Sequence, residues 1–159
     1  MIDETNIDIF DQWAVENKDI GMEKGHQPSV NKMISTISER TDILNRDFNF
    51  LDIGCGNGWV VKKFSNNPSC QLSVGVDGSY NMISKAKKKD PNGLYYQSAI
   101  EYWKSDEKFD IIFSMETFYY FNNVERVLNN MENSLNKNGI FIMGIDHYLE
   151  NEASLNWDK

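Results

Sequence analysis

An acidic residue followed by three glycines has the composition of a loop that binds a ligand through its backbone. The segment FLDIGCGNGWVVKKF contains Asp52 and then glycines at every second position, which are Gly54, Gly56 and Gly58. Glycine allows unusual backbone dihedrals and lets another molecule approach closely. A second carboxylate, Asp77, ends the run CQLSVGVD 19 positions after Gly58, near the offset of about 20 residues at which a carboxylate binds ribose hydroxyls. The spacing therefore predicts that the loop and Asp77 meet at one crevice for a ligand.

The elements that position these residues alternate between strand and helix. Strand patterns occur at FLDI, CQLSVGVD, LYYQSA, EKFDIIFSM and IFIMGID. The centre of EKFDIIFSM is almost continuously apolar, which is typical of a parallel strand covered on both faces. Five alternations predict an α/β fold with a doubly wound, mainly parallel sheet and helices on both faces, whose ligands bind beyond the carboxyl ends of the strands.

Capping and turn residues predict where the helices begin and end. Ser79 is the predicted N-cap of the helix after the second strand, and Gly139 follows the last helical pattern at the position that glycine favours. Upstream, IDIFDQWAVENK and PSVNKMISTISERTDIL predict two helices with Pro28 near the start of the second. The glycine-containing DIGMEKGH between them is predicted to be irregular.

Composition excludes several classes of protein. The 159 residues are enough for one domain, and a net charge of −8 disfavours binding to nucleic acid. The two cysteines, Cys55 and Cys70, provide neither a disulfide framework nor metal-ligand spacing, so no metal site is predicted. The acidic N-terminus is unlike a signal peptide, and no apolar run approaches the ~18 residues of a membrane span. We expect a cytoplasmic protein that binds no membrane.

Two classes of cofactor-binding fold place a glycine loop after the first strand. A dinucleotide-binding loop needs G-x-G-x-x-G, but that count from Gly54 puts Trp59 at the third glycine position. A nucleotide-dependent dehydrogenase is therefore disfavoured. DIGCGNG instead resembles the first motif of class I S-adenosylmethionine-dependent methyltransferases, VGVDGS resembles their second, and KFDIIFSMETFYYF and LNKNGIFIMG resemble their later motifs, in register over about 49–145.

The resemblance implies S-adenosylmethionine as the cofactor and a Rossmann-like methyltransferase fold. It implies that Asp77 holds the two ribose hydroxyls, that Asp52 orders the loop or reaches the ammonium group through water, and that Met82 lies near adenine. The implied cofactor-binding residues are Asp52, Gly54, Cys55, Gly56, Gly58, Asp77, Gly78, Met82, Ser98, Ala99, Ile100 and Met115.

The adenine contact departs from the family pattern. The family usually has an acidic residue after the third strand, and Ser98 stands at that position here. The Ser98 hydroxyl and the backbone of Ala99 and Ile100 are expected to contact the adenine, with Glu101 as an alternative. An exposed helical carboxylate is an equally good interpretation of Glu101.

The methyl acceptor and a catalytic base are not fixed by the sequence. Candidates are His26 in GMEKGH, Tyr119 with its neighbour Tyr120 after the fourth strand, and His147 with Tyr148 after the fifth. Segments like GMEKGH fold over the cofactor in many small methyltransferases. A capping or surface histidine is the alternative for His26, and aromatic packing is the alternative for the tyrosines.

The resemblance also implies a domain organisation. We expect a single domain with an N-terminal helical segment (1–47), a cofactor-binding core (48–146) and a shortened C-terminal tail (147–159), lacking the last two strands of the family's sheet. The fifth strand is then an edge, which favours a homodimer or cover from the N-terminal helices. We expect methyl transfer to a small molecule, with weak turnover, and the alternative is a cofactor-binding module without turnover that acts through a partner.

Overall fold

A computed structural model describes residues 4–146 of the chain and contains five α-helices, two short 3-10 helices (Ile43–Asn45 and Phe118–Tyr120) and five strands within that range. The helices are α1 (Glu4–Val15), α2 (Asp19–Arg40), α3 (Trp59–Ser65), α4 (Tyr80–Lys89) and α5 (Val124–Ser134). The strands are β1 (Phe48–Ile53), β2 (Cys70–Asp77), β3 (Leu94–Gln97), β4 (Phe109–Met115) and β5 (Leu135–Gly144).

The five strands form one sheet in the order β3-β2-β1-β4-β5, and every neighbouring pair is parallel. The order reverses on either side of β1, so the chain winds outward in both directions from the centre of the sheet. This arrangement confirms the predicted doubly wound α/β fold. Its crevice for ligands lies at the carboxyl ends of the central strands.

Both faces of the sheet are buried, as the continuous apolar strands predict. Phe50 and Leu51 are adjacent in β1 and belong to different hydrophobic clusters, because successive side chains of a strand point to opposite faces. Helices α2, α3 and α4 contribute to the cluster that contains Phe50. Helix α5 contributes Val127 and Met131 to the cluster that contains Leu51.

The prediction of an irregular segment at DIGMEKGH was wrong. Helix α2 begins at Asp19 and runs without interruption to Arg40, so it includes this segment and carries Pro28 in its interior. Gly21 and Gly25 lower helix propensity but do not prevent a helix whose later turns are anchored in the core by Val30, Met33 and Ile37. Buried Asp19 and Val30 anchor the two halves of the segment in the fold.

The predicted glycine turn after the last helix was also wrong. Strand β5 begins at Leu135, directly after α5, and its pairing with β4 shifts register before Ile111 pairs with Ile140. The left-handed conformation there belongs to Asn138, with φ of 67°, and not to Gly139. Asparagine tolerates this region because its short polar side chain bonds locally.

No helix within residues 4–146 is long and apolar enough to cross a membrane. The candidates His147 and Tyr148 lie outside the described residues.

Candidate functional site

A cavity of about 370 Å³ lies at the carboxyl ends of β1, β2 and β4. The loop after β1 lines one side of it, and residues that follow β3 and β4 line another. Helices α1 and α2 supply a further wall through Phe10, Trp13, Met22 and His26. The cavity therefore lies where the topology of the sheet predicts a ligand.

The glycine loop has the left-handed backbone that its composition predicts. Gly54, Gly56 and Gly58 have φ values of 74°, 50° and 76°. A Cβ atom on Gly54 would lie 2.2 Å from the Thr117 Oγ1 atom, so a larger residue cannot fit there. A Cβ atom on Gly56 would meet no other heavy atom within 4 Å. The backbone at Gly56 is therefore open, and Gly56 lines the cavity.

The ring of Tyr95 packs against glycines from three separate segments. Cβ atoms built on Gly58, Gly75 and Gly93 would lie 2.7, 2.9 and 2.9 Å from Tyr95 ring atoms. The Tyr95 hydroxyl donates to the Gly58 carbonyl or to the Asp90 carboxylate, at 3.3 and 2.8 Å. This buried tyrosine holds the end of the glycine loop against β2 and β3.

Asp77 connects the glycine loop to the start of α4. Its Oδ2 atom accepts a hydrogen bond from the Gly56 N–H at 2.9 Å, and its Oδ1 atom accepts one from the Ser79 N–H at 2.8 Å. Burial raises the pKa of the Asp77 carboxyl, while these backbone hydrogen bonds oppose the shift. A carboxylate oxygen can accept more than one hydrogen bond, so Asp77 retains acceptor capacity toward the cavity that it lines.

Asp52 is a buried carboxylate without a hydrogen-bond partner among residues 4–146. Its side chain lines the cavity and is 3% exposed. Burial raises its pKa well above the usual range, and the negative charge of Asp77 raises it further. A buried polar group without a partner is uncommon in a folded protein. The Asp52 carboxylate is therefore available to a ligand that donates hydrogen bonds or carries positive charge.

Glu116 follows β4 in a conformation that is rare for its residue type, with φ of 57°. Its carboxylate accepts hydrogen bonds from the Tyr119 hydroxyl and from the Asp146 backbone N–H. Its own N–H donates to the Gly144 carbonyl at 2.9 Å. Partial burial, and then the hydrogen bond to Glu116, raise the pKa of Tyr119, which keeps its hydroxyl a donor at neutral pH.

Polar contacts attach the two N-terminal helices to the rest of the site. The Asp11 carboxylate in α1 accepts from the Ser79 hydroxyl and, at 2.9 Å, from the Asn81 N–H. In α2, Asp19 accepts from the buried Asn57 side chain at 2.8 Å and pairs with Lys85 at 2.6 Å. These contacts close one wall of the cavity against the glycine loop and α4.

Most of the predicted site residues line this one cavity. Those that do are Asp52, Gly54, Cys55, Gly56, Asp77, Gly78, Met82, Ala99, Ile100, Met115, His26, Tyr119 and Tyr120. Gly58 and Ser98 do not. Gly58 packs on Tyr95, and the Ser98 hydroxyl donates to the Ala99 carbonyl at 3.2 Å. Glu101 is buried and lines the cavity, so the interpretation of it as an exposed helical residue was wrong.

Sequence reasoning expected GMEKGH to fold over the ligand, and Met22, Glu23 and His26 of that segment line the cavity. It missed the contributions of α1, of Asp19 and of the loop residue Asn57. Phe10, Trp13, Asp19 and Asn57 all line the cavity. The aromatic pair at positions 10 and 13 has helical spacing, which signals one helix face but not what that face covers. No group of three or more His, Cys, Asp or Glu side chains in the described part of the chain is arranged to hold a metal ion.

Comparisons with known proteins support a single interpretation of this fold. A family model described as a methyltransferase domain matches residues 51–143. A malonyl-[acyl-carrier protein] O-methyltransferase of Bacillus anthracis is 30% identical over 136 residues, which are 84% of this chain and 46% of that protein. The chain spans less than half the length of the curated relatives it matches.

Two solved structures share the fold. A chain from a complex with the Haloferax volcanii Trm112 methyltransferase activator superposes with a TM-score of 0.81 at 24% identity, covering 94% of this chain and 65% of that one. The DhpI–SAH complex superposes with a TM-score of 0.73 at 16% identity, covering 89% of this chain and 68% of that one.

Proposed function

Because the chain belongs to the methyltransferase domain family, which uses S-adenosylmethionine, we propose that its cavity binds this cofactor and that the protein transfers the methyl group to a small molecule. The chain has the Rossmann-like fold of the class I enzymes of this family. The single observation that carries the proposal is that Asp52, the left-handed glycine loop and Asp77 meet at one cavity.

The residues present fit the chemical groups of this cofactor. The Asp52 carboxylate is buried, faces the cavity and has no partner in the described part of the chain, so it suits the ammonium group of the methionine moiety. The open backbone at Gly56 allows close approach of that moiety. The cavity of about 370 Å³ lies in the range of small-molecule sites, which is roughly 300–1,000 Å³.

Asp77 binds the ribose in this proposal. Its two oxygens are held in place by the Gly56 and Ser79 N–H groups, so the carboxylate is oriented before the ligand arrives. Each oxygen keeps a lone pair for a ribose hydroxyl. Preorganisation of this kind lowers the entropic cost of binding.

The adenine lies between α4 and the segment that follows β3. Met82, Ala99 and Ile100 line this part of the cavity and offer an apolar surface with a polarizable thioether. In this proposal the Glu101 carboxylate, and not the Ser98 hydroxyl, contacts the adenine amino group and accepts a hydrogen bond from it. Glu101 is buried and lines the cavity, whereas Ser98 does not line it.

The bound cofactor supplies an activated methyl group on a positively charged sulfur. The chain contributes mainly by positioning, since an in-line displacement gains most of its rate from alignment of the reacting groups. Met115, Glu116 and Tyr119 at the end of β4 line the side of the cavity available to an acceptor. Helices α1 and α2 line another side of the same cavity.

The acceptor is proposed to be a small molecule. The Bacillus anthracis relative is named for a malonyl acceptor, but the match covers too little of that protein to assign the same acceptor here. A cofactor-binding module without turnover is the less favoured alternative, because the matched family model and the curated relatives are named for methyl transfer.

Calorimetric titration tests the proposal. The purified chain should bind S-adenosylmethionine and its demethylated product S-adenosylhomocysteine, and it should give no binding heat with NAD or FAD. The two dinucleotides serve as controls for a generic affinity for adenosine. Binding of NAD alone, or of none of the four ligands by a folded chain, would overturn the proposal.

A further inference from the structure

We propose that the methyl acceptor of this cavity is an amine, bound through its N–H group to the Glu116 carboxylate, and not a carboxylic acid. The inference rests on the proposed function, because it assigns the acceptor of the same site. It depends on the charges that line the cavity, on a buried carboxylate that lacks a partner, and on the geometry of Glu116.

The described lining of the cavity is acidic and contains neither lysine nor arginine. Six of its residues carry carboxylates, namely Asp19, Glu23, Asp52, Asp77, Glu101 and Glu116. His26 is the one described lining residue that can carry a positive charge. A ligand with a carboxylate would therefore find no strong cation to pair with, and unpaired like charges are costly where water is excluded.

Two of the six carboxylates are neutralised from outside the cavity. Lys85 pairs with Asp19 at 2.6 Å, and Lys89 pairs with Glu23 at 2.7 Å. The other four form no ion pair with a lysine or arginine among residues 4–146. Asp52 is the clearest case, because it is 3% exposed and accepts no hydrogen bond from residues 4–146. The cavity therefore favours ligands that donate hydrogen bonds to these carboxylates.

The proposed cofactor contacts use Asp52, Asp77 and Glu101. Of the four carboxylates without a lysine partner, only Glu116 then has no assigned ligand. Asp77 and Asp52 lie at the ends of β2 and β1, where the proposed ribose and ammonium contacts are made. Glu116 follows β4, which adjoins β1 on the side away from β2. With the cofactor bound as proposed, Glu116 is thus the cavity carboxylate that lies nearest to the reactive methyl group.

The Glu116 carboxylate is held in a fixed orientation. The Tyr119 hydroxyl donates to its Oε2 atom, and the Asp146 N–H donates to its Oε1 atom. Its backbone has a φ of 57°, and non-glycine residues held in this region cluster at functional sites. Each oxygen keeps a lone pair that can accept from the N–H of a ligand.

Aromatic rings surround the same region. Tyr120 packs edge-on against Phe10 of α1, with ring centroids 5.1 Å apart, and against Tyr119 at 4.7 Å. Aromatic faces attract cations. They therefore suit both the basic acceptor and the alkylammonium product.

The group transfer balances without a further reactant. An alkylammonium ligand first loses one proton to water, so that its nitrogen carries a lone pair. This lone pair forms a bond to the methyl carbon, and the carbon–sulfur bond breaks with its electron pair remaining on sulfur. The cofactor becomes neutral at sulfur, and the methylated nitrogen becomes positively charged. One N–H proton then passes to the Glu116 carboxylate or to water.

Binding measurements in the presence of saturating S-adenosylhomocysteine test this assignment without relying on turnover. The first set of probes is 2-phenylethylamine, 2-phenylethanol and 3-phenylpropanoate, which share a phenylethyl group. The second set is hexylamine, hexan-1-ol and heptanoate, which share a hexyl group. We expect at least one amine to bind tenfold or more tightly than its matched carboxylate, with the alcohol between them. Equal or tighter binding of the carboxylates, or no binding of either amine, would overturn the inference.

Two variants assign the preference to Glu116. Glu116→Gln should weaken amine binding tenfold or more and leave S-adenosylhomocysteine affinity within about twofold, whereas Glu132→Gln on the exposed face of α5 should change neither. If thermal denaturation shows that Glu116→Gln is unfolded, Tyr120→Arg provides the second variant. It places a cation at a cavity residue that is 37% exposed, and the preference should shift toward 3-phenylpropanoate.

The outcomes separate this inference from the proposed function. Amine preference that persists in every folded variant overturns the assignment to Glu116. A chain that binds S-adenosylhomocysteine but prefers carboxylates overturns only the acceptor class. A folded chain that binds neither form of the cofactor overturns the proposed function, and the acceptor class with it.

Discussion

Asp77 lies at the end of β2, where the Gly56 and Ser79 N–H groups hold its carboxylate in place. Its contribution to cofactor binding can be measured by removing the carboxylate. Asp77→Ala removes both proposed hydrogen bonds to the ribose. Hydrogen bonds to charged groups contribute about 1.5–3 kcal/mol each, so the loss should be about 3 kcal/mol or more. That corresponds to a decrease in S-adenosylmethionine affinity of roughly 150-fold, which calorimetric titration can measure.

A matched control separates this effect from general loss of charge. Asp106→Ala removes an exposed carboxylate that does not line the cavity and should leave the affinity unchanged. Because Asp77 also accepts from the Gly56 and Ser79 N–H groups, the variant must be checked by circular dichroism. An unchanged dissociation constant in folded Asp77→Ala would place the ribose elsewhere.

Asp52 gives a prediction about stability and pH. Burial raises its pKa well above the usual range, so the folded chain holds the proton more tightly than the unfolded chain does. The ionised carboxylate therefore destabilises the fold, and stability falls as pH rises from the unfolded pKa of about 3.9 toward the folded one. Asp52→Asn should raise the Tm of the ligand-free protein at pH 8 and change it little at pH 4.

The size of the effect can be anticipated from the length of the chain. Each kcal/mol recovered should raise Tm by about 2–4 °C, as followed by thermal denaturation across the pH range. Asp106→Asn, at an exposed position, should follow the wild-type curve at both pH values. A variant that is less stable than the wild type at pH 8 would contradict the argument.

At the residue scale, the sequence predicted what depends on local spacing and missed what depends on packing. The register of Asp52, the glycines and Asp77 is set by one strand–loop–helix unit and the next strand. Asp19 and Phe10 line the same cavity only because α1 and α2 fold back over it, and no periodicity reveals that. The departure at Ser98 was visible in the sequence, whereas the burial of Glu101 was not.

Two glycines of the loop between β1 and α3 differ in the space around them, so substitution by alanine should affect stability differently at each. Gly54→Ala combines a left-handed backbone, which costs a non-glycine residue about 1–2 kcal/mol, with a Cβ atom 2.2 Å from Thr117 Oγ1. With overpacking of about 1–3 kcal/mol added, we expect a total loss of roughly 3 kcal/mol. Gly56→Ala has open space and should lose only the backbone contribution.

Urea denaturation of the two variants measures this difference. Adding Thr117→Gly to Gly54→Ala removes the three nearest atoms and should recover part of the loss. The same second change should give no recovery in the Gly56→Ala background. Equal stabilities of Gly54→Ala and Gly56→Ala would show that the loop relaxes away from Thr117.

At the element scale, the errors have physical causes. Glycine and proline lower helix propensity, yet α2 continues through Gly21, Gly25 and Pro28, because tertiary packing outweighs propensity. At the other end, Asn138 takes the left-handed conformation that was predicted for Gly139. The central strands β1 and β4 were located more reliably, because burial on both faces gives them nearly continuous apolar runs.

For the whole molecule, β5 is the outermost strand next to β4, and no other described strand pairs with its free edge. Helix α2 covers one end of it, where Ser29 donates to Asp146 at 3.3 Å. Met143 nevertheless remains 44% exposed. An uncovered edge strand favours association, so we expect the chain to form a concentration-dependent homodimer through β5.

Sedimentation velocity of wild type and Met143→Lys tests this expectation. The lysine should shift the chain toward monomer, because charged side chains on an edge oppose strand pairing. Leu128→Lys, at a position of α5 that is 43% exposed, provides a matched control and should not change the distribution. A wild-type chain that remains monomeric at high concentration would contradict the prediction.

The packing around Tyr95 has a consequence for how this fold tolerates change over evolution. Gly58, Gly75 and Gly93 are far apart in the sequence, yet a Cβ atom on each would collide with the same ring, and also with Ala86, Cys55 and Asp90 respectively. The ring is therefore one shared reason why a side chain does not fit at these three glycines. Homologues that keep the aromatic ring should keep all three, and a smaller residue at position 95 should relax Gly75 and Gly93 before Gly58, whose backbone is left-handed with φ of 76°. An alignment of many homologues should show these four positions covarying.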